Sequence, residues 1–380
     1  MARTVFDINI DFKKSKGSYV FDKRTNKPFL DLFSMFSSLP LGYNHSIFDA
    51  SFDQKIKHIS HLRMSNNLFH SNELEDFEKK FLNISFHNNL HFCSTGALAV
   101  ESALKCGYEY KKDPEAIVLG VKNSFHGINS WGFATDPEIS SVKDRVINFP
   151  KNNWELHPLD VLLEELENTT KNIASVIIEP IQCTAGDVYL DISKLKKIQD
   201  LCNKKDICFI VDEIQTGFGV TGEMWYSKMI GLNPDIIIFG KKSQICGIMT
   251  NDKYSEAIYS KYRKLEVTFD GDLIDAVRAE YIIKAIEEYS LLENVRKKSS
   301  VLRDELSGLF DNYRSIGHLI AFDFPNKQER DNFVSNAYVN KLLVNPTSEK
   351  SIRIRPNLAF SDNELDKFMT IVHKINTIIV

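Results

Sequence analysis

At 380 residues the chain is long enough for one large domain and a smaller one. Its 47 basic and 51 acidic residues leave a formal charge of −4, with no basic excess to hold a nucleic acid or an anionic membrane. No apolar run approaches the roughly 20 residues of a membrane helix, and residues 1–7 lack the apolar core of a signal peptide. The six cysteines, at 93, 106, 183, 202, 208 and 246, show neither metal-binding nor redox spacing. A cytoplasmic protein with reduced, packed thiols and no metal site is expected.

A helix is predicted over 74–82, where apolar residues fall at 74, 77, 81 and 82. A strand at 90–93 follows, then a helix over 97–110 with apolar or small residues at 97, 100, 104, 107 and 108. Further strands are predicted at 117–120, 174–178, 207–211 and 236–239, with a helix over 193–203. Short strands alternating with helices argue for a mainly parallel sheet covered on both faces. Ligands bind such sheets beyond the carboxyl ends of the strands. Those ends carry residues 93–97, Glu179, Asp212 and the pair Lys241 and Lys242. After about residue 275 the pattern changes to a long helix from 273 to 289 and onward, apolar stretches at 316–324, 342–344 and 351–355, and a closing helix from 362. The expected division is an N-terminal segment (1–45) that joins the small domain, a large domain (46–272) and a small C-terminal α/β domain (273–380).

The chemistry concentrates where an apolar strand delivers two lysines into a turn, Asp235-Ile-Ile-Ile-Phe-Gly-Lys-Lys242. A buried ammonium is costly unless it is paired or neutralised. An edge position would explain these lysines, and so would an amine whose charge is removed in a Schiff base. Upstream, Ile207-Cys-Phe-Ile-Val-Asp212 ends on a carboxylate at the same kind of edge. That carboxylate needs a cationic partner, and a protonated pyridine nitrogen would supply one. A lysine and an acid so placed are the two protein groups pyridoxal phosphate needs. Ser94-Thr-Gly96 between strand and helix is either a plain helix cap or a phosphate site, with Gly96 allowing close backbone approach. Phe125, in Asn123-Ser-Phe-His-Gly127, is either a ring that stacks on a planar group or a core side chain beside a turn. Gln215 is within reach of a ring substituent. Glu179 is either a local hydrogen-bonding group or part of the same site.

In their order along the chain, the segments 94–105, Phe125-His-Gly127, Glu179-Pro-Ile-Gln182, Asp212-Glu-Ile-Gln-Thr-Gly217, 240–247 and Val267-Thr-Phe-Asp-Gly271 resemble the class III (ω-type) pyridoxal-phosphate aminotransferases. Within that class the chain is most similar to L-lysine 6-aminotransferases, through Gly96-Ala-Leu-Ala-Val-Glu101 and through Phe239-Gly-Lys-Lys242 followed by Cys246-Gly247. The openings 17–22 and 39–45 and the stretch Ile352-Arg-Ile-Arg-Pro356 also resemble that group. The resemblance implies a fold-type I α/β transferase, whose large domain holds a mainly parallel seven-stranded sheet beside a smaller α/β domain.

By position it implies Lys242 as the Schiff-base lysine, since family members place that residue five before the second glycine of a Gly-Gly pair, here Gly247; Lys241 is the alternative. Asp212 would hold the ring nitrogen, Gln215 the ring oxygen and Phe125 the ring face, with His126 beside it. The Gly96 and Ala97 amides would bind the phosphate, and Thr268 would reach the phosphate of a neighbouring subunit in a homodimer with shared sites. The implied reaction is a ping-pong transfer, by Schiff-base chemistry, from an amino acid or amine to a keto acid such as 2-oxoglutarate.

Three departures bear on the substrate. Ile128 stands where the resembled enzymes carry an arginine that grips a carboxylate, a contact an alkyl group does not replace. Cys183-Thr-Ala-Gly186 replaces a Gly-Glu-Gly-Gly stretch whose glutamate pairs with the later arginine, so Thr184 holds the gate position and Arg355 is left unpaired. Asp270 and Asp272 stand where Gly and Asn are usual, as solvated loop charges or as attractors of a cationic substrate end. Ile128, Glu179 and Arg355 are therefore the substrate-binding candidates, and racemisation or decarboxylation of an α-amino acid is the alternative chemistry.

Overall fold

The computed structural model describes residues 5–66, 68–129 and 154–379, with side chains to 376. At its centre lies a seven-stranded sheet in the spatial order Asn89–Cys93, Cys246–Thr250, Ile236–Phe239, Cys208–Asp212, Ile173–Ile178, Ile117–Val121 and Trp154–His157. Cys246–Thr250 is antiparallel to both neighbours and all other pairings are parallel. The mostly parallel sheet with helices on both faces is the fold-type I architecture.

The central strands read as unbroken apolar runs because both faces are covered. On one face Ile177 and Ile210 pack with Val100, Ala103 and Leu104 of the helix Gly96–Lys111. On the other, Val176, Ile178, Phe209 and Val211 pack with Leu162, Ile198 and Cys202 of the helices Leu159–Asn168 and Ile192–Lys205. This is the two-residue period of a strand. Gly107 lies where the helix Gly96–Lys111 meets the sheet: a Cβ added there would sit 2.0 Å from the Ser175 Oγ. The helix Leu273–Glu288 also belongs with the sheet, because Ala276, Val277, Ile282 and Ile283 pack in one cluster with Phe77, Phe81 and Phe239. The expected division at 273 would assign this helix to the small C-terminal lobe.

That lobe is built on a four-stranded antiparallel sheet, in the order Asp311–Ile316, Leu319–Asp323, Ser351–Ile354 and Asn345–Thr347. The apolar stretch 316–324 holds the turn and second strand of a hairpin: Ile316 pairs with Leu319, and Gly317 turns the chain at φ 56°. The strands Tyr19–Asp22 and Lys27–Asp31 pair with each other, and the second runs parallel to Leu342–Leu343, tying the N-terminal segment to this lobe. No helix of the described residues is long and apolar enough to cross a membrane.

Beyond those strands, Ser34–Ser37 makes a single turn wound left-handed, with φ of 49°, 49°, 58° and 72°. None of the four is glycine, and the left-handed helix costs an L-residue roughly 1–2 kcal/mol each. Asp31 anchors the start of the turn. Its Oδ1 accepts from the amides of Phe33 and Ser34 at 3.0 and 2.8 Å, and its Oδ2 accepts from the Tyr43 hydroxyl at 2.8 Å.

Candidate active site

The chemically marked residues converge at the carboxyl edge of the large sheet. Asp212 ends its strand beside Ile238 of the next, whose chain continues into the turn Lys241–Ser243. Glu179 follows Ile173–Ile178, Phe125 and His126 follow Ile117–Val121, and Gly96 opens the helix after Asn89–Cys93. Together they line an inner cavity of about 180 Å³, with Ala97, Gln215, Lys241 and Cys246. Cys246 reaches this edge because its strand runs backwards.

The two acids of the cavity differ in their hydrogen bonds. Asp212 Oδ2 lies 2.9 Å from His126 Nδ1, and its Oδ1 accepts from the Ile214 amide at 3.0 Å. Glu179 accepts from the Phe125 amide at 2.6 Å, but burial, and next the Asp212 carboxylate, push its carboxyl well above the usual range.

The segment before the helix is a helix cap that also borders the cavity. Thr95 caps it, its hydroxyl accepting from the Leu98 amide at 3.3 Å. The first-turn residues Gly96 and Ala97, whose amides have no partner within the helix, line the cavity. Gly127 packs over them at φ 95°, where a Cβ would come within 3.0 Å of the Ala97 Cβ. Gln215 Oε1 is buried without a hydrogen-bond partner. A phosphate, a flat ring with a basic nitrogen and a ring hydroxyl would use a helix start, Phe125, Asp212 and that orphaned oxygen in turn. The residues present fit pyridoxal phosphate.

The two lysines point apart. Lys241, at φ 52°, opens on the inner cavity and on an adjoining outer cavity of about 460 Å³. Lys242 lines neither; it is 1% exposed and donates from Nζ to the Ser37 carbonyl at 3.2 Å. Of the two, Lys241 and not the expected Lys242 lines the inner cavity. Counting back from Gly247 presumes a turn of fixed length, and successive residues of the tight turn 241–243 aim in different directions. Burial, then Arg353, lowers the proton affinity of Lys241, opposed by Asp212 and Glu179. Burial, Arg355 and Lys241 bring Lys242 down to about 7.

The arginines are exchanged in the same way. Arg355 is not unpaired: its Nη2 lies 2.5 Å from Asp187 Oδ1, with the two side chains 1% and 0% exposed. Arg353 is the one that lines the outer cavity, together with Thr184. Its Nη1 donates to the Cys183 carbonyl at 2.6 Å. With the Asn345 amide oxygen turned towards it, Nε and Nη2 donate at 2.7 and 3.0 Å. These partners are neutral, so Arg353 faces the cavity with its charge uncompensated by a contacting carboxylate. Arg353 and Arg355 are two residues apart, the period of a strand, so the sequence pattern did not separate them.

Among the remaining candidates, Ile128 is half-buried and lines neither cavity. Asp272 caps the helix Leu273–Glu288 through the Ile274 amide and pairs with Arg63 at 3.3 Å. Asp270 is not a solvated charge: it is 9% exposed and closes its own loop by accepting from the Val267 amide at 2.7 Å. Thr268 is exposed on that loop and lines neither cavity. Phe36, Asn345 and Cys246 are site residues the sequence reading did not name as such. Only Cys246 carried a signal, as the cysteine before Gly247.

A parallel sheet with a lysine turn, an acid and a helix start at its carboxyl edge defines a pyridoxal-phosphate enzyme of the transferase kind. The profile of the family described as Aminotransferase class-III matches residues 1–376, and the chain belongs to that family. Pyridoxal 5′-phosphate is the cofactor of the class. The L-lysine-epsilon aminotransferase of Amycolatopsis lactamdurans is 30% identical over 412 residues, covering 95% of this chain and 90% of that protein. A 4-aminobutyrate aminotransferase of Kluyveromyces lactis is 28% identical over 426 residues, covering 96% and 89%. Among solved structures, lysine aminotransferase from M. tuberculosis in the internal aldimine form matches with a TM-score of 0.94 at 28% identity, covering 100% of this chain and 97% of that one.

Proposed function

We propose that the protein moves an amino group from a lysine-like amino acid or amine to a keto acid such as 2-oxoglutarate, in two half-reactions that use Lys241 and Arg353. The donor class is supported by the likeness to proteins named L-lysine-epsilon aminotransferase. One observation carries the residue roles: Lys241 and Arg353 line the same outer cavity, and the arginine's contacts there are neutral. In that cavity Arg353 takes a substrate carboxylate bidentately. Because Thr184 and Asn345 carry no charge, no resident carboxylate has to be displaced first.

When bound, pyridoxal phosphate supplies a covalent carbonyl for the amine and a ring that stabilises negative charge on the substrate carbon. Asp212 would hold its ring nitrogen, with His126 and the Ile214 amide fixing the carboxylate. Gly96 and Ala97 would hold the phosphate, Gln215 the ring oxygen and Phe125 the ring face. Lys241 would carry the cofactor covalently. Once free, its neutral Nζ would accept the proton of the substrate carbon and give it back at the cofactor's former carbonyl carbon. Burial and, next, Arg353 lower the proton affinity of Lys241, which favours that basic form.

We also place the protein in a homodimer with shared sites. Thr268 is exposed between the exposed Val267 and Phe269, and Arg63, next in sequence to the exposed Leu62, lies over the Phe269 ring at 4.7 Å. Sedimentation of a monomer at micromolar concentration would remove this part of the proposal. For the chemistry, borohydride reduction of the loaded protein followed by peptide mapping is expected to fix the cofactor on Lys241. Recovery on Lys242 would overturn the assignment. Glutamate and lysine are expected to bleach the bound cofactor's visible band, with Arg353→Gln raising the KM for the keto acid roughly 100-fold. A band stable to every amino donor, with α-hydrogen exchange into solvent, would mean racemisation instead.

A further inference from the structure

Lys242 has no part in the transfer, yet it is buried at considerable cost. Lys241, Arg355 and the neutral His318 surround it, and its one hydrogen-bond acceptor is the Ser37 carbonyl. A methionine would fill the same space without burying an amine, so what the lysine adds is that hydrogen bond. Two residues on, Gln244 Nε2 donates to the carbonyl of Ser38. The turn that carries Lys241 therefore reaches across with two donors to two consecutive carbonyls of the N-terminal segment.

Those carbonyls close the left-handed turn Ser34–Ser37, whose start is tied by Asp31 and by the Ser34 hydroxyl donating to the Arg355 carbonyl at 2.6 Å. A run of left-handed non-glycine residues persists only where its surroundings over-determine it. The turn carries Phe36, which packs edge-on against Phe33 with ring centres 4.6 Å apart and lines the outer cavity with Lys241 and Arg353. We propose that Lys242 is a positioning residue: with Gln244 it pins the left-handed turn against the lysine turn, and so sets Phe36 as the wall that selects the donor's side chain. This rests on Lys241 being the reactive lysine. The adjacent lysines then divide two tasks, one holding the chemistry and the other the wall beside it.

The test compares Lys242→Met, Gln244→Ala, Phe36→Ala and the double variant Lys242→Met/Phe36→Ala with the wild type. In cofactor-free protein, amides of residues 33–39 in Lys242→Met should exchange with deuterium roughly tenfold faster, while those of Ile192–Lys205 are unchanged. In loaded protein the same variant should raise the KM for bulky donors roughly 5- to 20-fold with kcat within about threefold. Phe36→Ala should shift the ratio of kcat/KM between long and short donors in the same direction, and the double variant should add little to it. Gln244→Ala, the milder lesion, should move both readouts the same way and stands in if Lys242→Met fails to fold. Unchanged exchange at 33–39, or fully additive effects in the double variant, would overturn the proposal. Borohydride fixation on Lys242 would instead overturn the assignment of Lys241, which the peptide map distinguishes.

Discussion

The buried pair Arg355–Asp187 offers the most direct check on the division of labour between the two arginines. Burial works against the charged form of Arg355, and the Asp187 carboxylate, together with Cys183 and Tyr189, more than offsets it. Its other acceptors are the carbonyls of Ile320 and Ile354 at 3.2 and 3.1 Å, and its Nε has no partner. Asp187→Asn removes the charge with little change of shape, and Asn also tolerates the left-handed φ of 57° found there. Stranding one member of a buried pair costs about 3–5 kcal/mol, and about 3 where an amide oxygen still accepts one hydrogen bond. An unfolding entropy of about 2.1 cal/mol/K per residue amounts to roughly 0.8 kcal/mol/K over the chain. The melting temperature should therefore fall by about 4 °C in scans at one heating rate, with the keto-acid KM within about twofold of wild type. Arg355→Met added to Asp187→Asn should recover most of that loss, because no charge is then buried. An unchanged melting temperature, or a keto-acid KM that collapses while stability holds, would show that Arg355 rather than Arg353 meets the substrate.

Other consequences are open to simpler measurements. Gly127→Ala forces a Cβ against Ala97 at a left-handed φ, and should weaken cofactor binding by about 1–2 kcal/mol, read as a 5- to 30-fold higher Kd by fluorescence titration. Burial raises the Asp270 carboxyl to about 6, above its unfolded value. Its contribution to stability is therefore present below about pH 4 and lost as the pH rises through about 6, and denaturant titrations should show Asp270→Asn flattening that slope. Thr268→Ala should raise the cofactor Kd several-fold in the dimer without changing the melting temperature of cofactor-free protein; equal Kd values would detach Thr268 from the phosphate.

How far the sequence could be read follows from how locally each feature is determined. Ile173–Ile178 and Ile236–Phe239 were legible because strands covered on both faces must be apolar throughout. Trp154–His157 was not, being an edge strand of mixed polarity, and Cys246–Thr250 is only five residues with a glycine inside it. Asp212, Phe125 and Gly96 were legible as cavity residues because each follows the end of a strand that the sequence marks. The Lys241/Lys242 and Arg353/Arg355 choices depended instead on the handedness of one turn and on a partner, Asp187, that lies 168 residues from Arg355. Neither quantity has a local signature.

Gly107 has a mechanical meaning for the phosphate end of the site. The helix it belongs to begins at Gly96, eleven residues earlier, or about 16 Å along a rod that bends little. Its bare Cα rests against Ser175, so the helix is seated at a fixed height on the sheet. Unless the Ser175 hydroxyl turns aside, a methyl group at 107 would lift that seat by about 1–1.5 Å to clear the serine oxygen. The rod would pass the displacement to its far end, where the first amides stand. A substitution remote from the cofactor would thus be felt as a tilted phosphate cradle.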